Sequence, residues 1–236
     1  MFLYYIPDAV LIASAIIPAI ALLVLVYRAD RVERESPALL LRLVIMGVVA
    51  TSVAKLAEYA GSWVLNAIFR YETVLYDVLM YFGVVAFAEE GAKYALLKRA
   101  TWRSPQFNCR FDGVVYAVFV SLGFALWENI GYVMMNGLGT ALIRALTAVP
   151  GHACFGVFMG CWYAQARELS RLGDERQSKP TRVMAVVLPA LLHGAYDYLA
   201  VTSVYSSAWY FVIFVVILFI VTYRLIRRLS AQDRYI

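Results

Sequence analysis

Seven long apolar stretches alternate with short polar connections along the chain. They cover roughly residues 3 to 27, 38 to 57, 74 to 97, 113 to 135, 141 to 166, 183 to 202 and 206 to 226. A membrane-spanning helix needs about 20 largely apolar residues, and each stretch meets this length. The pattern predicts an all-α, polytopic membrane protein with about seven transmembrane helices. No polar block large enough for a soluble domain separates them, so we expect a single domain over residues 1–236.

Composition supports this interpretation. Hydrophobic residues make up 63% of the chain, charged residues 16%, and the mean hydropathy is +0.71, whereas soluble domains carry about 25% charged residues. The net charge of +5 does not concentrate in one patch, so we expect the lipid bilayer and no nucleic acid as a partner. Three cysteines, Cys109, Cys154 and Cys161, have no disulfide or zinc-type spacing.

The positive charges between the stretches predict the orientation. Sixteen of the 21 basic residues follow helices one, three, five and seven: Arg28, Arg31, Arg34; Lys98, Arg99, Arg103, Arg110; Arg167, Arg171, Arg176, Lys179, Arg182; Arg224, Arg227, Arg228, Arg234. The connections on the other side contain only Arg70. Because short cytoplasmic loops retain positive charge, we expect a multi-pass cell-membrane protein with its N-terminus outside and its C-terminus in the cytoplasm.

The candidate functional residues are polar residues inside four consecutive apolar stretches. They are Glu89, Glu90 and Lys93 in helix three, Glu128 and Asn129 in helix four, His152 in helix five, and His193 and Asp197 in helix six. At a rise of 1.5 Å per residue, the carboxylates and histidines lie roughly 13 to 22 Å from the cytoplasmic ends of their spans. An ionisable group at mid-bilayer costs at least ~2.5 kcal/mol and usually has a function. The pattern therefore predicts one functional polar layer, which contains both histidines of the chain.

Spacing within the helices indicates how these groups interact. Lys93 lies one helical turn from both Glu89 and Glu90 and can neutralise one of them. Two adjacent carboxylates in a low dielectric resist joint ionisation, so the other can act as a base. Asp197 follows His193 by four residues, the spacing at which a carboxylate orients an imidazole.

Several strings of residues match a known family in order. They are Glu89-Glu90-Gly91-Ala92-Lys93, Phe111-Asp112-Gly113, Gly123 to Tyr132 with Glu128 and Asn129, His152 with Gly156, and His193-Gly194-Ala195-Tyr196-Asp197. Together they resemble the PrsW family of intramembrane proteases, which is related to the CAAX prenyl proteases and bacteriocin self-immunity proteins. The resemblance covers about residues 85–200, the motif-bearing core.

The resemblance implies that Glu89, Glu90, His152 and His193 are catalytic. It also implies a membrane protein substrate, a single-pass anti-sigma factor, cut either first or after another protease has trimmed its outer part. Lysine three residues after the glutamate pair, and Glu128 where the CAAX enzymes have histidine, separate this chain from the CAAX branch. A prenylated substrate is accordingly not expected.

We expect an intramembrane endopeptidase in which one glutamate of the pair takes a proton from water. An imidazole from His152 or His193 would stabilise the oxyanion. Lys93, Glu128, Asn129 and Asp197 are expected to support the site, with Glu128 and Asn129 positioning water or substrate backbone. No serine or cysteine lies beside a base in this layer, which disfavours a covalent nucleophile.

Two alternatives stay open. Glu89, Glu128, His152 and His193 are also a suitable zinc ligand set by residue type; we favour a glutamic protease without a cofactor over a zinc-dependent one. A proton or divalent-cation transporter would use similar residues, but the internal repeats that it predicts are absent from the sequence. The seven-helix count alone would fit a receptor, which does not need a buried glutamate pair.

Overall fold

The computed structural model of the chain describes residues 7–69, 73–203 and 207–236. Its elements are α1 (Asp8–Ala29), α2 (Pro37–Ile68), α3 (Val74–Val78), a π-helical segment (Leu79–Ala86), α4 (Phe87–Thr101), α5 (Asp112–Asn136), α6 (Leu138–Leu146), α7 (Ala148–Arg171), α8 (Glu175–Thr202) and α9 (Trp209–Ala231). The described residues contain no β-strand, only an isolated bridge between Cys109 and Tyr235. Arg70, residues 3–6 of the first predicted span and residue 206 of the seventh lie outside these ranges.

The helices confirm a polytopic all-α membrane protein. In the described part of the chain, six helical stretches are long and apolar enough to cross a membrane: α1, α2, α5, α6 with α7, α8 and α9. A seventh helical run continues without a break from α3 through the π-helical segment to α4. This run corresponds to the predicted third span, and it contains Glu89, Glu90 and Lys93.

Two predicted boundaries differ from the structure. The second apolar stretch ends near residue 57, but α2 continues to Ile68, because Lys55 and Glu58 lower the hydropathy while pairing with each other at 2.8 Å. The fifth stretch is split at Thr147 into α6 and α7. Pro150 lies in the first turn of α7, where its missing N–H removes no helical hydrogen bond.

Helix α5 forms the centre of the bundle. It packs against α1, α2, α4, α6 and α7, and its first half, from Asp112 to Ala125, is fully buried. Small residues permit this: a Cβ on Gly123 would overlap the carbonyl oxygen of Val44 in α2, and a Cβ on Gly160 of α7 would overlap the backbone of Gly113. Close approach at small residues is a common way for membrane helices to associate.

Replacing Gly123 by alanine is expected to destabilise the bundle by about 1 to 3 kcal/mol, because the added methyl group must separate α2 from α5. Gly139→Ala in α6 is the matched control, since a Cβ there meets no atom within 4 Å. Unfolding in detergent micelles measures both variants. Equal stability of the two variants would contradict the close packing of α2 on α5.

The connections rich in Lys and Arg meet at one end of the bundle, here called the basic end; the other end is called the opposite end. At the basic end, Glu35 precedes α2 and is buried among carboxylates. Burial, chiefly, raises the pKa of Glu35 to about 7, and nearby Asp30 adds to this, although the Tyr116 hydroxyl donates a 2.5 Å hydrogen bond to it. Burial likewise raises the pKa of Asp30 to about 6.

A raised carboxyl pKa in the folded protein means that the protonated form stabilises the fold. The Glu35 contribution is full below its unfolded pKa of about 4.3 and is lost as the pH rises through about 7. Glu35→Gln, which mimics the protonated form, should therefore match the parent protein at pH 4 and exceed its thermal stability at pH 8. Melting curves in detergent at the two pH values test this. If the variant is less stable than the parent protein at pH 8, the ionised form of Glu35 stabilises the fold and the prediction is wrong.

Candidate active site

Four helices bring the buried polar side chains together. Helix α4 contributes Glu89, Glu90 and Lys93, α5 contributes Glu128, α7 contributes His152, and α8 contributes His193 and Asp197. The π-helical segment ends three residues before Glu89, and such segments are frequent at functional sites. Gly194 allows α8 to pack directly on this segment, since a Cβ there would lie 2.7 Å from the Phe82 ring.

Lys93 lies at the centre of the cluster and has no exposed surface. Its Nζ is 2.7 Å from Glu90 Oε1, 3.3 Å from Glu89 Oε2 and 3.2 Å from His152 Nδ1. The ammonium also lies 4.0 Å from the centre of the Phe124 ring. The helical spacing predicted that Lys93 neutralises one glutamate. In the structure Lys93 contacts both glutamates and also a histidine from another helix.

The hydrogen bonds of His152 define its tautomer. An ammonium group only donates, so Nδ1 of His152 accepts from Lys93. The proton of the neutral ring is then on Nε2, which lies 3.1 Å from Glu128 Oε2 and donates to it. Both nitrogens of His152 are therefore occupied by protein partners.

His193 is arranged differently. Its Nδ1 lies 2.9 Å from Glu90 Oε1, and its Nε2 lies 3.4 Å from Asp197 Oδ2 and 3.8 Å from Glu89 Oε2. Both nitrogens face carboxylates and are placed as donors. The contacts of Nε2 are longer than a good hydrogen bond, so this nitrogen is the less engaged of the two.

The two glutamates of the pair have different surroundings. Glu90 has no exposed surface, and its Oε1 accepts from both Lys93 and His193. Glu89 has longer contacts than Glu90 to both Lys93 and His193, and it lines a cavity of about 330 Å³. This cavity also reaches Glu128, His152, His193 and Asp197, and Glu90, Lys93 and Asn129 lie outside its lining.

Arg144 also contacts the site, although the sequence pattern predicted no role for it. It extends from α6, and its guanidinium donates to Glu128 Oε2 and to Asn129 Oδ1, both at 2.8 Å. Asn129 in turn donates from Nδ2 to the carbonyl of Ala15 in α1 and is fully buried. Asn129 thus holds Arg144 and does not face the cavity. The sequence contained one indication that Arg144 has a role in the site: like Lys93, it is a basic residue that lies away from the basic clusters of the loops.

A set of metal-binding residue types converges in this cluster. In the part of the chain that the structure describes, Glu89, Glu90, His152 and His193 each offer a ligand atom within 4.8 Å of the others. Two carboxylates and two imidazoles suit zinc. The zinc set expected from the sequence contained Glu128 in place of Glu90, but Glu128 pairs with Arg144 and His152.

Most of the chain is similar in sequence to one protein family. Residues 35–222 match the model of the "PrsW family intramembrane metalloprotease". The chain belongs to the PrsW family of intramembrane proteases. Protease PrsW of Halalkalibacterium halodurans is 31% identical over 226 residues, covering 95% of this chain and 99% of the relative. Protease PrsW of Bacillus subtilis is 31% identical over 216 residues, covering 88% and 90%. No solved structure gives a significant match.

Membership of the PrsW family confirms the resemblance on which the protease assignment rested. The matched region contains every residue of the cluster, from Lys93 and its glutamates to Asp197. It also favours proteolysis over the transporter and receptor alternatives, because the curated relatives are named as proteases.

Arg144 is expected to act as a positioning residue through Glu128 and His152. Arg144→Gln should lower the cleavage rate by about 10- to 100-fold, because a shift of about 1 Å in such a group can cost about 100-fold. Arg144→Lys should restore part of the rate, and Arg42→Gln on the exposed face of α2 is the control for a lost positive charge.

A double-mutant cycle distinguishes positioning from a general loss of stability. If Arg144 acts through Glu128, the double variant Arg144→Gln with Glu128→Gln should be no slower than Glu128→Gln alone. Losses that simply multiply would show that the two side chains act independently.

Proposed function

We propose that the protein hydrolyses a peptide bond of a membrane protein substrate with a water molecule activated by Glu89. The observation that carries this proposal is the asymmetry of the glutamate pair. Glu89 lines the cavity. Glu90 lies outside the cavity lining, and its Oε1 is hydrogen-bonded to both Lys93 and His193. Glu89 is therefore the carboxylate that can reach both water and substrate.

In this mechanism Glu89 accepts a proton as the water oxygen attacks the carbonyl carbon of the scissile bond. The negative charge that develops on the carbonyl oxygen is stabilised by the Nε2–H of His193, which points toward Glu89 and Asp197. Breakage of the C–N bond follows as Glu89 passes its proton to the leaving nitrogen. Glu90 and Lys93 hold His193 and His152 in position throughout.

The family description raises a bound metal ion as the alternative, and we consider zinc because carboxylates and imidazoles are its usual ligands. The residues fit it chemically: Glu89, Glu90, His152 and His193 would hold the ion. A bound zinc ion would supply Lewis-acid polarisation of the carbonyl and a more acidic water. Lys93 contacts three of these four residues, so its ammonium already supplies positive charge where the ion would bind. We therefore favour the metal-free glutamic mechanism.

The test compares variants of the purified protein on a quenched-fluorescence peptide that contains a membrane-spanning segment. Glu89→Gln should lower the rate by at least about 100-fold, because general base catalysis contributes that much or more. Cys154→Ala is the control, since this buried residue packs among apolar side chains and has no proposed role. Full activity of Glu89→Gln would refute the proposal.

The same assay decides between the two mechanisms. A metal-free enzyme keeps its rate after dialysis against a strong chelator, and elemental analysis finds less than one zinc ion per chain. Loss of activity on chelation with recovery on adding zinc would overturn the metal-free mechanism and leave the protease assignment intact.

We also propose the side of the membrane on which cleavage occurs. The cavity lining runs from His152 toward the opposite end of the bundle, reaching Arg144 and Val201. With the predicted orientation, this end is outside the cytoplasm. Such a position suits a first cut near the outer face of a single-pass anti-sigma factor better than a later cut near its cytoplasmic end.

A further inference from the structure

A groove runs along the membrane-facing surface between the second halves of α2 and α5. It has a volume of about 380 Å³, and its lining includes Ser52, Phe124, Trp127, Gly131 and Met135. Trp127 is 54% exposed and Met135 is 85% exposed. These side chains therefore face the bilayer rather than the interior of the bundle.

The groove follows from how α2 and α5 pack. The two helices touch closely at Gly47 and Gly123, where an added Cβ would overlap the backbone of the partner helix. Beyond this contact toward the opposite end, the groove opens between the helices. A Cβ on Gly131 would meet no atom within 4 Å, so the space beside it is open.

The groove adjoins the catalytic cavity. Lys55, Glu128 and Tyr132 line both spaces. Lys55 pairs with Glu58, which also lines the cavity. Charged groups on a membrane-spanning helix are costly and usually serve a function, and these lie where the apolar groove becomes a polar cavity.

We infer that the groove receives the membrane-spanning segment of the substrate, which enters sideways from the bilayer between α2 and α5. This inference rests on the proposed function. The apolar part of the segment packs against the exposed side chains of Trp127 and Met135. Its backbone unwinds at Lys55 and Tyr132, where polar groups replace its helical hydrogen bonds, since unwound backbone is tolerated at membrane depth only in such a setting.

The test fills the groove and compares two substrates. Gly131→Leu places a bulky side chain in the open space and keeps good helix propensity. In proteoliposomes, its rate on the membrane-spanning substrate should fall by about tenfold or more relative to its rate on a short soluble peptide with the same scissile bond. The matched control is Gly139→Leu, another open glycine, which should leave the ratio of the two rates unchanged.

A binding measurement tests the groove without relying on activity. A photo-crosslinking residue in place of Ser52, introduced into the Glu89→Gln protein, should capture the membrane-spanning substrate. The same residue in place of Val216, on the exposed face of α9, should not capture it.

The outcomes separate the two proposals. The entry-groove inference is overturned if Gly131→Leu slows cleavage of both substrates equally or of neither. It is also overturned if the crosslinking residue at position 52 captures no substrate. In either case the groove is better explained as a lipid contact. A parent protein that cleaves neither substrate refutes the proposed function, and the groove inference is refuted with it.

Discussion

The ammonium of Lys93 is the interaction on which the rest of the site depends. A buried positive charge between helices is tolerated only with partners, and removing one member of such a group leaves the others unpaired. Glu89, Glu90 and His152 are those partners. By occupying one oxygen of Glu90 and the Nδ1 of His152, Lys93 determines which carboxylate stays available and which tautomer the histidine adopts. The ammonium is thus paired before any substrate arrives.

The packing of α5 against its neighbouring helices also holds the residues around Lys93 in place. Its first half is held against α2 and α7 by close approaches at Gly113, Gly123 and Gly160. Its second half leaves α2, places Glu128 beside His152 and leaves room for both the cavity and the groove. One helix therefore combines close packing at small residues with surfaces that remain open.

Much of this could be predicted from the sequence, because the physical signals are local. Apolar length predicts the spans, and the cost of intramembrane charges marks their polar residues as functional. A shared depth along four helices correctly predicted that Glu89, Glu128, His152 and His193 would meet. The spacing of three and four residues also correctly placed Lys93 beside both glutamates.

The remaining features depend on tertiary structure. The break at Thr147 lies inside a continuous apolar stretch, and the contact of Arg144 in α6 with Glu128 in α5 follows from how the two helices pack. Glu89 and Glu90 are neighbours on one helix, and which of them faces the cavity depends on the rotation of α4 after the π-helical segment.

The contact from Asn129 to the Ala15 carbonyl adds a further consequence. Through Arg144 and Glu128 it connects α1, which contributes no side chain to the buried polar cluster, to His152. The motif-bearing core therefore does not hold the site on its own: a shortened chain that keeps residues 85–200 but lacks α1 loses one anchor of the candidate active site.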